Sequence, residues 1–239
     1  MVNFSLKSQE LGRMLESNIT KSTFQFLNSL KKNNNREWFS EHKEEFKRED
    51  DATKSFFKSL LEKLKTHDEI ERLKVFRIYR DVRFSKNKTP YKHTFSASYT
   101  RAGQHRRGGY YVHIEPEGSF IATGFWNPEK EDLFRIRKEW EIDTSELVSI
   151  IEKNEFKDVW GPLIGDELKT APKGFDKEDP NIEFIRKKQF IFTRKFTDEE
   201  VLDPKFIDQI NESFRIVRPY FDLMSSILTT NLNGESLLD

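Results

Sequence analysis

The chain has 239 residues, and its 41 basic and 41 acidic side chains give a formal net charge of zero. This length is enough to bury a hydrophobic core without disulfide or metal staples, and it favours a single domain over residues 1–239. The complete lack of cysteine excludes disulfides, thiolate metal sites and cysteine nucleophiles, whereas 22 phenylalanines argue against disorder.

The N-terminal stretch MVNFSLKSQELGRMLESN has no basic segment followed by an apolar run, as a secretory leader would have. Nowhere does the chain approach the ~18 consecutive apolar residues that a membrane span needs. Lack of cysteine also fits a reducing compartment. We therefore expect a soluble, cytoplasmic protein that does not insert into membranes.

Two helices are the first predicted elements. Apolar residues at helical spacing predict a helix over residues 22–30, and the NNN stretch at 33–35 ends it. Asn35 is a suitable N-cap for a second helix, which continues an apolar stripe to Lys65. The pair Asp50-Asp51 is a candidate interruption of that helix.

Alternation with a period of two replaces the helical period from Leu73 onward and predicts a strand over residues 76–84. One set of alternate residues is apolar apart from Arg80 and should face the core: Phe76, Ile78, Arg80, Val82 and Phe84. The other set carries charge: Arg77, Tyr79, Asp81 and Arg83. Three more strands are predicted over 94–100, 110–115 and 120–126. The short turns between consecutive strands indicate an antiparallel meander.

Caps and periodicity predict the remaining elements. They are a helix from Asn127-Pro128 through Trp140, a helix that begins near 143–145, a short helix over 180–187 and a strand over 189–196. A capping signal at Thr197 and a C-terminal helix that begins at Pro204 and is broken or kinked at Pro219 complete the prediction. The fold expected from this order is α+β: an antiparallel sheet of about five strands with N- and C-terminal helices packed mainly on one face. The opposite face should form an open, basic concavity.

Charge is distributed unevenly along the chain. Between Lys74 and Arg107 there are ten basic residues and one acid, Asp81. This segment therefore carries +9 and the rest of the chain −9. Such segregation creates a local field that attracts an anion, although the zero total argues against a general nucleic-acid binder.

Common catalytic signatures are absent from the sequence: there is no GxxxxGK[ST] loop, no GxGxxG, no HExxH and no GxSxG. His113 and Glu115 share one face of a strand and could hold a metal with His93, but a hydrogen-bonded strand histidine is the simpler interpretation and we predict no metal site. Asp81 can either join a ligand site or act as a clamp that orients neighbouring guanidinium groups.

Several stretches together resemble the bacterial domain-of-unknown-function 2461 family. They are NNREWF (34–39), FRIYRDVRFSKNKTPYK (76–92), GYYVHIEPEG (109–118), GFWNPEKEDLFRIR (124–137) and LKTAPKGFDKEDPNIEFIRKKQF (168–190). The resemblance implies a single α+β domain in a cytosolic, bacterial-type protein, and it implies no reaction or cofactor. Its motif positions overlap the basic segment: Arg77, Arg80, Asp81, Arg83, Lys88, Tyr91, Lys92, Tyr111, His113, Trp126 and Lys173.

Three functional hypotheses remain open. The first is a basic site for a small anionic ligand, such as a phosphate- or carboxylate-bearing metabolite, with His113 as candidate proton donor or acceptor. Its candidate ligand-binding residues are Arg77, Asp81, Arg83, Lys88, Tyr91, Lys92, Tyr111, Glu115, Trp126 and Lys173. The second is a non-catalytic module that binds nucleic acid or protein through the same face, with Tyr99, Tyr110 and Tyr111 as stacking platforms. The third is an internal ion-pair network.

Overall fold

Five antiparallel strands form one sheet in a computed structural model that describes residues 18–238. The strands lie in chain order, each paired with the next: β1 (Ile70–Val75), β2 (Phe95–Arg101), β3 (Gly109–Ile114), β4 (Phe120–Phe125) and β5 (Phe190–Lys195). The predicted meander and the predicted α+β fold are confirmed. Most of the N-terminal stretch in which we expect no leader lies outside the described residues.

Ten helices lie before, between and after the strands in the described part of the chain. They are α1 (Lys21–Lys32), α2 (Arg36–Glu41), α3 (Lys43–Leu64), α4 (Lys130–Ile142), α5 (Ser145–Ile151), α6 (Asn154–Trp160), α7 (Ile182–Ile185), α8 (Asp198–Leu202), α9 (Phe206–Ile216) and α10 (Arg218–Thr229). Within residues 18–238, none of these is both long and apolar enough to cross a membrane.

One face of the sheet packs against helices from both ends of the chain. The Tyr99 hydroxyl of β2 donates to the Phe57 carbonyl of α3 at 3.0 Å. The ring of Tyr110 on β3 lies 4.6 Å from that of Phe214 on α9. Val112 follows Tyr110 by two residues and is fully buried. Side chains of one parity therefore form the core with the helices, and those of the other parity lie on the opposite face, here called the open face.

The predicted strand over 76–84 is wrong. Strand β1 ends at Val75, and residues 76–93 are irregular apart from an isolated bridge between Tyr79 and Tyr91. Phe84, predicted on the core side, is 96% exposed. Arg80, the one cation in the predicted apolar set, donates from Nε to the Tyr91 carbonyl at 3.0 Å. It therefore lies in a loop and not in a strand.

Helix boundaries follow the predicted caps in two places. Asn35 accepts a hydrogen bond from the Trp38 amide at 2.9 Å, and Thr197 forms a capping box with Glu200. The helix after Asn35 breaks at His42 and runs without interruption through Asp50-Asp51.

The remaining helix predictions need three corrections. Helix α4 begins at Lys130 with Glu129 at its N-cap, so Asn127 is not the cap. The C-terminal segment is two helices that meet at Val217, and Pro219 lies in the first turn of the second helix, where its missing N–H costs no intrahelical bond. Helix α6 was not predicted.

Candidate functional site

Pairing across the strands sets the side chains of the open face in rows, because directly paired residues point to the same side of a sheet. One row runs through Lys74, Ser98, Tyr111 and Ala122. The next row contains Ser96, His113 and Phe120, and the amide of Phe76 donates to the Ser96 carbonyl at 2.9 Å. The sequence had placed Phe76 in the core, but it lies at the edge of this face and contacts Tyr111, with 6.1 Å between ring centroids.

A cavity of about 390 Å³ opens on this face. Its walls are the rings of Phe76, Tyr111 and Trp126, and its lining includes Gly109 and Gly124, which pair with each other across β3 and β4. The volume lies in the range of small-molecule sites. A Cβ at Gly124, where φ is +126°, would lie 2.1 Å from the Phe190 carbonyl oxygen of β5, so the close approach of the two strands requires glycine there.

Lys74 and Lys92 lie beside the cavity wall formed by Phe76, and Arg77 and Arg80 lie close enough to Lys92 to repel its charge; we call Lys74, Arg77, Arg80 and Lys92 the cation cluster. Lys74 Nζ and Lys92 Nζ lie 5.0 Å and 5.5 Å from the centroid of the Phe76 ring. Burial lowers the pKa of Lys92, and Arg80, Arg77 and Lys74 lower it further by repulsion. Among residues 18–238, no acidic side chain forms an ion pair with any member of the cluster.

Five of the other six cations of the basic segment have partners, and the sixth, Lys86, is exposed. Arg83 donates to both carboxylate oxygens of Asp81, at 2.9 Å and 2.6 Å, which is the clamp considered for Asp81. This bidentate bond lowers the pKa of Asp81. Lys88 donates to the Val82 carbonyl at 2.9 Å. Two further arginines form ion pairs across the fold: Arg106 with Glu69, and Arg107 with Asp132.

The last of the paired cations, Arg101, belongs to a buried network. Its Nε donates to Asp68 Oδ2 at 2.8 Å, and the exposed fractions of the two side chains are 1% and 0%. The Tyr110 hydroxyl donates to the same oxygen at 2.5 Å, and Arg218 Nη1 lies 3.2 Å from Asp68 Oδ1. The internal ion-pair network predicted as an alternative therefore exists, but it lies on the helix side of the sheet.

A chain of hydrogen-bonded side chains begins at consecutive open-face positions of β3 and continues past the C-terminal end of that strand. The Tyr111 hydroxyl lies 3.1 Å from His113 Nδ1, and His113 Nε2 lies 3.1 Å from Glu115 Oε2. His93 Nδ1 lies 3.0 Å from the other carboxylate oxygen of Glu115, although it is not aligned as a hydrogen bond. Burial raises the pKa of Tyr111, and a hydrogen bond with Ser96 opposes that effect.

Two histidines thus share one carboxylate, yet the described residues contain no group of three or more His, Asp or Glu side chains arranged to hold a metal ion. Phe120 covers His113, with 4.7 Å between ring centroids and 22° between ring planes. The arrangement suits proton transfer, because a carboxylate that orients an imidazole leaves the other ring nitrogen to face a hydroxyl.

The structure gathers five of the residues proposed from the sequence on or beside the open face: Lys92, Tyr111, His113, Glu115 and Trp126. A sixth, Arg77, lies close enough to Lys92 to lower the pKa of that lysine. The structure does not bring the others there. Asp81, Arg83 and Lys88 lie in the exposed loop. Tyr91 is buried and stacks on Phe39, with 3.9 Å between ring centroids, and burial raises its pKa. Lys173 is exposed in the segment between α6 and α7.

The alternation in the second predicted strand places Ser98 on this face, as the structure has it, but sequence reasoning did not single out Lys74, Ser98 or Thr100 as site residues and placed Phe76 on the core side. The irregularity in β1, where the register against β2 shifts between Ile70 and Arg72, lies before the predicted strand and does not cause this error. Phe76 was assigned to the core because it is apolar. It follows Lys74 by two residues, and Lys74 pairs with Ser98 of the open face, so regular alternation already puts Phe76 on that face.

Three of the five stretches that carry the family resemblance fall on elements that build this site: 76–92 in the loop, 109–118 on strand β3 and just after it, and 124–137 from the end of β4 onward. A family described as "Conserved hypothetical protein (DUF2461)" matches residues 22–223. No curated protein and no solved structure matches the chain. Since the family match covers well over half of its length, the chain belongs to the DUF2461 family.

Proposed function

We propose that the open face binds a small anionic ligand whose phosphate or carboxylate is held by the cation cluster. The observation that carries this proposal is the set of four neighbouring cations, none of which forms an ion pair with an acidic residue in the described structure. Asp81 interacts with Arg77 at longer range, but both of its carboxylate oxygens are bonded to Arg83. Like charges held side by side repel one another, and the lowered pKa of Lys92 reports that repulsion together with burial. An anion bound among them removes the repulsion, and that gain favours binding.

The contrast with the rest of the basic segment supports the same proposal. Arg83, Arg101, Arg106 and Arg107 each have an acidic partner. Of the cations that form no ion pair, Lys86 and Lys88 are exposed in the loop, whereas the four of the cation cluster lie close enough together to repel one another. Two of these four contact Phe76, a wall of the cavity. A concave apolar surface with a few convergent charged groups is the usual form of a small-molecule site.

His113 is the proposed proton donor or acceptor. If the neutral imidazole keeps its proton on Nε2, donating to Glu115, then Nδ1 accepts from the Tyr111 hydroxyl. The order carboxylate, imidazole, hydroxyl is the arrangement by which enzymes activate a hydroxyl group. Tyr111 also lines the cavity, so its hydroxyl is the member of the chain proposed to contact the ligand.

A nucleic-acid or protein-binding module using the same face is the alternative. Two of its three predicted stacking platforms, Tyr99 and Tyr110, are 1% exposed and lie under the helices, so they cannot stack on bases. Tyr111 alone remains on the open face. A small ligand that occupies one cavity fits this surface better than a strand of nucleic acid that needs several stacking residues.

Calorimetric titration with inorganic phosphate tests the proposal, with Lys92→Met as the variant and Lys86→Met as the matched control. Both changes remove one positive charge from the same segment, but Lys86 is exposed and outside the cation cluster. A hydrogen bond to a charged group contributes ~1.5–3 kcal/mol, so Lys92→Met should weaken phosphate binding about tenfold or more. Equal loss in both variants contradicts a specific site.

The alternative is tested by titrating a single-stranded oligonucleotide at low salt. Tight binding with a steep dependence on salt concentration, together with no binding of phosphate, favours the nucleic-acid module over the small-ligand site.

Phosphate affinity should also fall as the pH rises through the lowered pKa of Lys92, because the neutral amine no longer attracts the anion. Lys92→Met should lack that dependence.

A further inference from the structure

Trp126 differs from the other tryptophans of this chain in its surroundings. The rings of Trp38, Trp140 and Trp160 each contact another aromatic ring, as in the 4.9 Å centroid distance between Trp140 and Phe190. Trp126 has no ring–ring contact with any residue in the range 18–238. It is half-buried at the wall of the cavity, so its ring faces space that a ligand can occupy.

The lining of the cavity is shaped for a flat group. Gly109 and Gly124 are paired directly opposite each other, and both belong to the cavity lining, so two adjacent open-face positions have no side chain. Ser98 and Thr100 add small hydroxyl-bearing side chains to the same surface. Aromatic rings of Phe76, Tyr111 and Trp126 rise around it. Aromatic walls above a floor without side chains match a planar ring that stacks and offers a few hydrogen-bonding atoms.

The cation cluster lies at the Phe76 side of this cavity, since Lys74 Nζ and Lys92 Nζ are within 5.5 Å of the Phe76 ring centroid. One small molecule can therefore reach both features. We propose that the ligand is an aromatic anion of the nucleoside monophosphate type: a planar ring in the cavity, joined to a phosphate held by the cation cluster. This inference rests on the proposed function, and it adds the chemical class of the ligand.

Adenosine 5′-monophosphate and ribose 5-phosphate test the inference, because the two share the phosphate and the sugar and only the first has the ring. Stacking of a base on an aromatic side chain is strong enough to change affinity about tenfold or more. We expect adenosine 5′-monophosphate to bind about tenfold more tightly than ribose 5-phosphate. Equal affinities overturn the inference and leave the proposed function standing. Failure of both, with no binding of inorganic phosphate, overturns the proposed function.

A cavity-filling variant gives a second test. Ser98→Leu places a larger side chain in the cavity, and Thr193→Leu places the same side chain on the open face in β5, outside the cavity lining. Ser98→Leu should remove the advantage of adenosine 5′-monophosphate while ribose 5-phosphate still binds, and Thr193→Leu should change neither. An unchanged advantage in Ser98→Leu overturns the inference. If Ser98→Leu does not fold, as judged by circular dichroism, Trp126→Ala takes its place with the same expected result.

Discussion

Asp68→Ala tests the difference between the paired cations of the basic segment and the cation cluster, because it removes the acidic partner of a paired cation. The Asp68 carboxylate accepts from Arg101 Nε at 2.8 Å, from the Tyr110 hydroxyl at 2.5 Å and from the Glu69 amide at 2.8 Å. Its side chain is 0% exposed. Alanine would remove the acceptor of all three donors and leave the Arg101 charge buried without its closest partner.

The size of the effect follows from these contacts. Breaking a buried ion pair by removing one partner typically costs ~3–5 kcal/mol. Arg101 keeps its bond from Nη1 to the Arg107 carbonyl at 2.8 Å, and Asp222 lies 3.6 Å from Nη2, so we expect the lower end, about 3 kcal/mol. For a chain of this length that corresponds to a melting temperature lower by roughly 6–12 °C.

Urea denaturation and thermal melting followed by circular dichroism measure this loss. Asp81→Ala is the control, because its partner Arg83 is exposed, and it should not change the free energy of unfolding measurably. The double variant Asp68→Ala/Arg101→Met should be more stable than Asp68→Ala alone, since it removes the uncompensated charge. A loss below about 1 kcal/mol in Asp68→Ala, or a double variant less stable than both singles, would refute the reasoning.

Three further predictions concern stability. Lys92→Met should leave the free energy of unfolding of the ligand-free protein unchanged or raise it, because burial and three neighbouring cations disfavour its charge; urea denaturation measures this, and a large loss would contradict it. Burial raises the pKa of Tyr99 and Tyr220 above the ordinary value of 10.0. Their contribution to stability is therefore complete below pH 10 and is lost as the pH rises toward the raised pKa, so their absorbance should change together with alkaline unfolding and not before it. Gly124→Ala should lower the free energy of unfolding by at least about 1 kcal/mol more than Gly174→Ala does. Both positions have positive φ, but only at Gly124 would the new Cβ lie against a backbone oxygen. Equal losses of stability would show that strand β5 can shift to accommodate the Cβ.

Much of the sheet could be predicted from the sequence because its signals are local. In β3 the alternation of Tyr110 and Val112 with Tyr111 and His113 assigns each residue to a face without knowledge of any other strand. The same alternation placed His113 and Glu115 on one side, where they are now seen to be hydrogen-bonded. Caps at Asn35 and Thr197 were predictable for the same reason, since donor and acceptor lie three residues apart.

The loop 76–93 shows where local signals fail. Its alternating apolar and polar residues fit a strand pattern, but Phe84 is exposed and Phe76 lies on the open face. Strand pairing is a contact between distant segments, and here β1 already occupies the edge position beside β2. The pattern in the loop therefore had no partner to pair with, which a periodicity count within one segment does not reveal.

By itself the sequence determined that the chain would form an α+β fold with an antiparallel meander, and that ten cations would be concentrated in one segment. Only the tertiary structure decided which of those cations are neutralised. Arg101 meets Asp68 across 33 residues and Arg107 meets Asp132 across 25, whereas Lys74, Arg77, Arg80 and Lys92 lie close to one another and form no ion pair within residues 18–238. The physical reason is that the attraction between charges depends on separation and burial, which the packing of distant elements sets and the local sequence does not encode.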